Sequence, residues 1–281
     1  MSKKVGSGSL VEARKRKKKS YIALVVCALL LWNTVSFALM RTNPEGYKAK
    51  LIPVSEDVQS KVVNYLLAGT LNQAEAVFEQ YLPEFEGSVV YVNCQMHGWD
   101  PKIVAEQIAA DIDERQAEAR IWAISVSSQV AHLVDAQASG VKIVAINPCT
   151  TEDCLAPQFR GYNWLAWTLR GLGYGLGWLS ALPMIPLAGV DTNTEAGKSG
   201  SSLILLLDQL VAITNGIDMP RPYAAETVIV SRHDQLLDTA AEKALYAESA
   251  QQILEIEADH AGTMVYAEAY RAAFRASGLT K

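Results

Sequence analysis

Short apolar runs recur along the chain from residue 48 onward, and most of them are followed by polar turns. Runs of this length that are rich in Val and Ile are typical of strands buried on both faces of a sheet. The predicted strands are Lys48–Val54, Val62–Leu67, Ser88–Asn93, the run that begins at Ile121, Val141–Asn147, Glu226–Ser231 and Gln252–Glu257.

Amphipathic segments separate most of these strands. Residues 102–118 place Ile103, Val104 and Ile108 on one helical face. Further helices are predicted at about 73–81 and from 127 to about 137. Two more are predicted, one that follows the 232–238 loop and ends at about residue 250, and one at the end of the chain. Because strands and helices alternate, the sequence predicts an α/β fold with a doubly wound, mostly parallel sheet.

The alternation stops in residues 149–222, which contain a glycine-spaced run and several aromatic side chains, Trp164 and Trp167 among them. We expect a helical cap over one edge of the sheet. Its aromatic surface would suit an apolar acyl chain, or would serve only as the core of the cap. The predicted units are a basic tail at 1–19, a transmembrane anchor at 20–40 and a linker with an edge strand at 41–60. An α/β core follows at 61–148 and 223–281, with the cap inserted at 149–222.

The N-terminal segment combines a basic tail with an uncharged run. Residues 1–19 carry eight basic side chains and one acidic one, and the 21 residues of 20–40 carry no charge. About 20 such residues span a bilayer as a helix, and the basic flank is expected to stay in the cytoplasm. The alternative is a signal peptide cleaved after 36–38. Residues 41–281 are therefore predicted to be extracytoplasmic, in a single-pass membrane protein or in a secreted one.

The charge of the remaining chain excludes one class of partner. Beyond residue 40 the chain has 17 basic and 29 acidic side chains, a net charge of −12. No basic surface is expected there that would hold a nucleic acid. The basic tail is better suited to anionic lipid headgroups, so the sequence predicts contact with a membrane and not with nucleic acid.

Two of the four cysteines lie close together in one loop. In an oxidising compartment Cys149 and Cys154 would form a local disulfide, and two free thiols are the alternative. A metal site needs more ligands than this loop offers, and no Cys or His spacing typical of zinc occurs elsewhere. We therefore expect neither a metal nor a cofactor.

Three polar residues follow three of the predicted strands. Ser127 follows the strand that begins at Ile121, Asp234 follows 226–231, and His260 follows the last strand. Open α/β sheets place their sites at the carboxyl ends of their strands. A serine in a sharp strand-to-helix turn stands above that edge as a nucleophile, although serines that only cap the helix are the alternative.

Each of these positions has a rival. A tight strand-to-helix turn needs small residues two positions before and two after its serine. Ser127 has Ser125 before it but Gln129 after it, whereas Ser125 would have Ala123 and Ser127. Asp238 is the alternative acid, and the other histidines are His97, His132 and His233.

The order of these residues resembles the α/β-hydrolase fold superfamily over about residues 60–275. Residues 125–129 occupy the position of its Gly-x-Ser-x-Gly motif, and 68–70 the position of its His-Gly oxyanion turn. The remaining similarities are to its Gly-His-Gly loop at 97–99, its acid loop at 231–234 and its terminal histidine loop at 259–262.

The resemblance implies a capped serine hydrolase that cleaves a carboxylic ester without a metal or cofactor. Ser127 would attack the acyl carbon, His260 would carry the proton, and Asp234 would orient the imidazole. Backbone N–H groups of Thr70 and Ser128 would hold the oxyanion. The candidates to line the substrate pocket are His97, Trp99, Trp164 and Trp167.

Two departures from the family pattern favour a second hypothesis. Gln129 stands where a small residue is expected, and Ala68 replaces the usual histidine before Gly69. A catalytically silent protein of this fold would instead bind a ligand or a protein partner through its cap. Haloperoxidase and thioesterase chemistry use the same triad and remain open.

Overall fold

The computed structural model describes residues 21–28, 31, 48–57, 60–69, 73–94, 100–161, 223–260, 262–263 and 265–281. Residues 21–28 are helical. Within these ranges, no helix combines the length and the apolar character that a bilayer crossing requires. The predicted anchor at 20–40 and the predicted cap at 149–222 are only partly covered by the described residues.

Seven strands form one sheet in the described part of the chain. They are β1 (Ala49–Ser55), β2 (Val62–Leu67), β3 (Ser88–Cys94), β4 (Glu118–Ile124), β5 (Lys142–Ile146), β6 (Ala225–Ser231) and β7 (Ala250–Ile256). Their spatial order is β1-β3-β2-β4-β5-β6-β7. The β1–β3 pair is antiparallel and every other neighbouring pair is parallel. The prediction of a mostly parallel α/β sheet is confirmed.

The middle of the sheet is β4, which pairs with β2 on one side and β5 on the other. All of its residues after Glu118 are buried, as expected for a central strand covered on both faces. Alternate side chains point to opposite faces. Ile121 and Ala123 therefore belong to one core, and Trp122 and Ile124 belong to the other.

Helices cover both faces of the sheet. The first core holds side chains of α2 (Pro101–Arg115), α3 (Ser128–Asp135) and α4 (Thr239–Tyr246), and the second holds those of α1 (Ala74–Phe78) and α5 (Ala267–Ala276). The second core is aromatic around Trp122, whose ring meets Phe85 and Phe274 edge-on at centroid distances of 5.0 and 5.1 Å. The buried indole N–H donates to Asn64 Oδ1 at 3.0 Å.

Two helices end earlier than their patterns predict. The helix predicted at 73–81 is α-helical only to Phe78 and continues as the 3₁₀ helix Glu79–Glu84, since Pro83 cannot donate a backbone hydrogen bond. The helix predicted at 102–118 ends at Arg115. Gln116 takes a left-handed conformation with φ 51° and bonds back to Ile112, so that the chain turns directly into β4.

The carboxyl ends of the parallel strands form one rim, which one buried asparagine joins to a helix. Asn147 follows β5, accepts the Ser231 N–H at 2.8 Å and donates to the Tyr270 hydroxyl at 3.2 Å. These bonds connect the end of β5 to the end of β6 and to α5. The loops after β4, β6 and β7 therefore leave from a fixed rim, where the candidate site lies.

Gly87 and Gly140 offer a matched test of the turns that set the sheet register. Both have positive φ, at 80° and 75°, but a Cβ on Gly87 would lie 2.4 Å from the Val62 carbonyl oxygen, whereas one on Gly140 would meet nothing within 4 Å. We expect Gly140→Ala to lower the free energy of unfolding by about 1 kcal/mol. Gly87→Ala should lower it by roughly 1–3 kcal/mol more than Gly140→Ala does. Urea unfolding of both variants measures the difference, and equal losses would contradict the close approach.

Candidate active site

The turn between β4 and α3 contains a strained serine. Ser125 has φ +56°, a left-handed conformation that residues other than glycine rarely adopt. Its carbonyl oxygen accepts the N–H of Ser128 and, at 3.0 Å, the N–H of Cys149 from the loop after β5. The strand ends at Ile124 and the 3₁₀ turn Ser125–Ser127 leads into α3. Ser125 therefore occupies the apex of the strand-to-helix turn.

Ser127 lies two residues beyond this apex, inside the first helical turn. Its backbone is ordinary right-handed helix, with φ −67° and ψ −13°. Its buried hydroxyl donates to the carbonyl oxygen of Ala68 at 2.5 Å. The small flanking residues that a tight turn needs are thus Ala123 and Ser127, on either side of Ser125.

Gln129, whose size argued against an active elbow, lies in α3 beyond the tight turn. Its side chain is fully buried, and its amide donates to the Thr150 carbonyl oxygen at 3.1 Å. Relative to Ser125 it is four residues along the helix, where no small side chain is required. It connects α3 to the loop after β5.

The turn after β2 packs directly against the apex. A Cβ added to Gly69 would lie 3.1 Å from the Ser125 Cβ and 3.3 Å from Ile124 Cγ2. The N–H of Ser128, the predicted oxyanion donor, bonds to the backbone carbonyl oxygens of Ser125 and Val126. The Val126 N–H lies earlier in the same 3₁₀ turn, where N–H groups have no intrahelical acceptor.

Asp234 and His260 meet at the same rim. Asp234 Oδ2 lies 2.7 Å from His260 Nδ1, and its Oδ1 accepts the N–H groups of Leu236 and Leu237 at 2.8 Å each. The Asp234 side chain has no exposed surface, whereas that of His260 is 18% exposed. A buried carboxylate held by two backbone donors fixes the imidazole through Nδ1 and leaves Nε2 as its reactive nitrogen.

The rival acid and two of the other histidines have different partners. Asp238 caps α4 by accepting N–H groups of its first turn, and it forms an ion pair with Arg160 at 3.0 Å. His132 lies 2.6 Å from the Tyr246 hydroxyl, and burial lowers its pKa to about 3. His233 is exposed and pairs with Glu257 at 2.8 Å. None of these contacts joins the Asp234–His260 pair.

Cys149 and Cys154 are free, buried thiols in this structure. The local disulfide expected as one alternative is absent, and the Cys154 sulfur instead lies 3.9 and 3.8 Å from the hydroxyl oxygens of Thr150 and Thr151. The 3₁₀ turn Glu152–Cys154 places it there. The loop as a whole connects the Ser125 turn to the acid loop, because the Cys154 carbonyl oxygen accepts the Asp238 N–H at 2.8 Å.

Several predicted site residues cannot be placed. They lie outside the described residues and are Thr70, His97, Trp99, Trp164 and Trp167. Among the residues that are described, no three His, Cys, Asp or Glu side chains gather as metal ligands would.

A buried carboxyl group lies on α4, behind the acid loop. Glu242 is fully buried, and neither of its oxygens has a hydrogen-bond partner among the described residues. Burial, together with smaller effects of the charges of Asp234 and Asp238, raises its pKa to about 9. Glu242 is therefore a neutral acid at neutral pH.

Comparison with known proteins finds similarity in structure only. A scan against protein-family models and a search of curated proteins each returned no match. A thermophilic esterase from Thermogutta terrifontis aligns at 14% identity over 81% of this chain and 92% of that chain, with a TM-score of 0.54. MenH from S. aureus aligns at 11% identity over 81% and 97%, with a TM-score of 0.56.

A third structure belongs to an α/β-hydrolase enzyme from a Medee basin deep-sea metagenome library. It aligns at 18% identity over 83% of this chain and 94% of that chain, with a TM-score of 0.53. The strand order, the single antiparallel edge strand and these alignments together define the class: the chain has the α/β-hydrolase fold. The resemblance to the α/β-hydrolase fold that the sequence predicts is therefore confirmed for the fold.

The position of the elbow is the feature that sequence reasoning assigned differently. The sequence carried the necessary signal, because Ala123 and Ser127 are the small pair around Ser125. The sequence pattern favours Ser127 because it predicts a helix that begins there. The structure starts the turn two residues earlier, and the two serines differ in φ and in the bond that Ser127 makes to Ala68.

Glu242 predicts a pH dependence of stability. Its pKa is 4.5 in the unfolded chain and about 9 in the folded one, so the unfolded state loses its proton first as pH rises. Stability should then fall between pH 4.5 and 9, by at most about 1.4 kcal/mol per pH unit. Glu242→Gln removes this loss, and its gain over wild type in urea unfolding should grow from pH 5 to pH 8. Exposed Glu106→Gln is the control, and a pH-independent difference for Glu242→Gln would contradict the assignment.

Proposed function

We propose that this protein is a serine hydrolase that cleaves carboxylic esters, with Ser125 as the nucleophile. His260 is the general base, and Asp234 orients it. The observation that carries the proposal is the positive φ of Ser125 at the carboxyl end of the central strand, on the rim that also holds the Asp234–His260 pair. Strained backbone conformations of this kind cluster at active sites.

The chemistry follows from these groups. The Ser125 hydroxyl oxygen attacks the ester carbonyl carbon while His260 Nε2 takes its proton. When the tetrahedral intermediate collapses, the bond to the alcohol oxygen breaks and His260 returns the proton to that oxygen. A water molecule then attacks the acyl-serine by the same route, which releases the carboxylic acid and restores Ser125. Asp234 stabilises the imidazolium in both steps.

The oxyanion is held by backbone donors. The N–H of Val126 directly follows the nucleophile, in the 3₁₀ turn that leads into α3, and the dipole of that helix also favours negative charge there. The turn at Gly69 lies against Ser125 and supplies the second side of the hole. Each such donor contributes roughly 3 kcal/mol to stabilising the transition state.

The structural neighbours support the class of substrate. The proteins from Thermogutta terrifontis and Exiguobacterium antarcticum are both esterases, and a small-molecule ester is the substrate that this geometry suits. The hypothesis of a silent binding protein rested on Gln129 and on Ala68. With Ser125 at the apex, Gln129 no longer interferes with the turn, and the hydrolase is favoured.

Labelling with a fluorophosphonate tests the nucleophile. We expect the wild-type protein to be labelled, Ser125→Ala to lose labelling, and Ser127→Ala to remain labelled, because only the serine at the apex becomes phosphonylated. Hydrolysis of p-nitrophenyl butyrate should fall by roughly 10⁴-fold or more in Ser125→Ala. Mass spectrometry of the labelled peptide identifies the modified residue.

The base is tested with a matched pair of histidines. His260→Ala should lose labelling, whereas His233→Ala should keep it, because His233 is exposed and pairs with Glu257. A well-folded wild type that takes no label would overturn the hydrolase proposal. If Ser127 were labelled in the Ser125→Ala variant, Ser127 would be the nucleophile, as the sequence pattern predicts.

We also propose an extracytoplasmic location, on the basis of the basic residues 1–19 and the uncharged residues 20–40. Alkaline phosphatase fused to the C-terminus should be active, because that enzyme folds only outside the bacterial cytoplasm. Retention of the full-length protein in carbonate-washed membranes would favour an anchor, and a shortened soluble form would favour a cleaved signal peptide. If the alkaline phosphatase fusion were inactive while a fusion to green fluorescent protein were fluorescent, both the anchor and the signal peptide would be contradicted.

A further inference from the structure

The hydroxyl of Ser127 connects two segments that are far apart in sequence. It donates to the carbonyl oxygen of Ala68, 59 residues away, and both residues are buried. Ala68 directly follows β2 and precedes Gly69, which lies against Ser125. The bond therefore fastens the start of α3 to the turn after β2.

This bond controls the orientation of a peptide group. The peptide between Ala68 and Gly69 is planar and trans, so its C=O and N–H point in opposite directions. Holding the oxygen on Ser127 sets the direction of the whole peptide plane, including the Gly69 N–H. On its other side the turn meets Ser125, where a Cβ on Gly69 would lie 3.1 Å from the Ser125 Cβ. The turn is thus held between a hydrogen bond and a van der Waals contact.

We propose that Ser127 is a positioning residue, which holds the turn after β2 as one wall of the oxyanion hole for Ser125. This inference rests on the proposed function. A backbone donor stabilises the developing oxyanion fully only when it lies about 3 Å from that oxygen, with a tolerance of roughly half an ångström. Ser127 is small enough for the flank of a tight turn and still supplies a hydroxyl, whereas glycine or alanine would satisfy the size requirement alone.

A neighbouring serine provides the matched control. Ser128 is also fully buried in the first turn of α3, but its hydroxyl has no hydrogen-bond partner among the described residues. Ser128→Ala removes the same atom as Ser127→Ala from the same helical turn and keeps the backbone. Comparing the two separates the loss of the bond to Ala68 from the loss of a buried hydroxyl.

The test measures kcat and KM for p-nitrophenyl butyrate and Ki for a trifluoromethyl ketone that forms a tetrahedral adduct with the nucleophile. We expect Ser127→Ala to lower kcat about 10- to 100-fold while KM stays within about threefold of wild type. The Ki for the ketone should rise by the same factor by which kcat falls. Ser128→Ala should match the wild type in kcat, KM and Ki.

The outcomes separate this inference from the function on which it rests. A wild-type kcat and Ki in folded Ser127→Ala would overturn the positioning role and leave the hydrolase intact. An equal loss in Ser128→Ala, or a loss that appears only in KM, would also overturn it. If Ser127→Ala lost fluorophosphonate labelling while Ser125→Ala kept it, Ser127 would be the nucleophile. An unlabelled wild type would remove the function and the inference together.

Discussion

The candidate site depends on one strained turn. The left-handed conformation of Ser125 costs free energy that the surrounding structure must offset, and the contacts that do so come from both sides of β4. The loop after β5 donates a backbone hydrogen bond to the Ser125 carbonyl oxygen, and the turn after β2 accepts one from Ser127. The central position of β4 is what makes both neighbours available.

The acid and base loops are fixed to the same rim by backbone contacts. The N–H of His233 donates to the Ala258 carbonyl oxygen at 3.0 Å, which connects the loop after β6 to the loop after β7. Asp234 is held by two backbone donors in its own loop. Little of this geometry relies on long side chains, so the pair is preorganised in the way that charge stabilisation requires.

Behind the rim lies a buried polar layer that is unusual for a packed core. Glu242, His132 and Tyr246 are all buried between α3, α4 and the sheet, and burial shifts the pKa of each toward its neutral form. A neutral Glu242 avoids placing a further negative charge near Asp234 and Asp238.

The sequence by itself determined the alternation of strands and helices, and it placed Asp234 and His260 directly after strands. Those properties are local, since apolar periodicity and turn residues act over a few positions. The helix end at Arg115 and the state of Cys149 and Cys154 were decided by the three-dimensional context. So was the conformation of the turn, because Ser125 and Ser127 lie in one short segment and packing against the neighbouring strands sets which of them takes the positive φ.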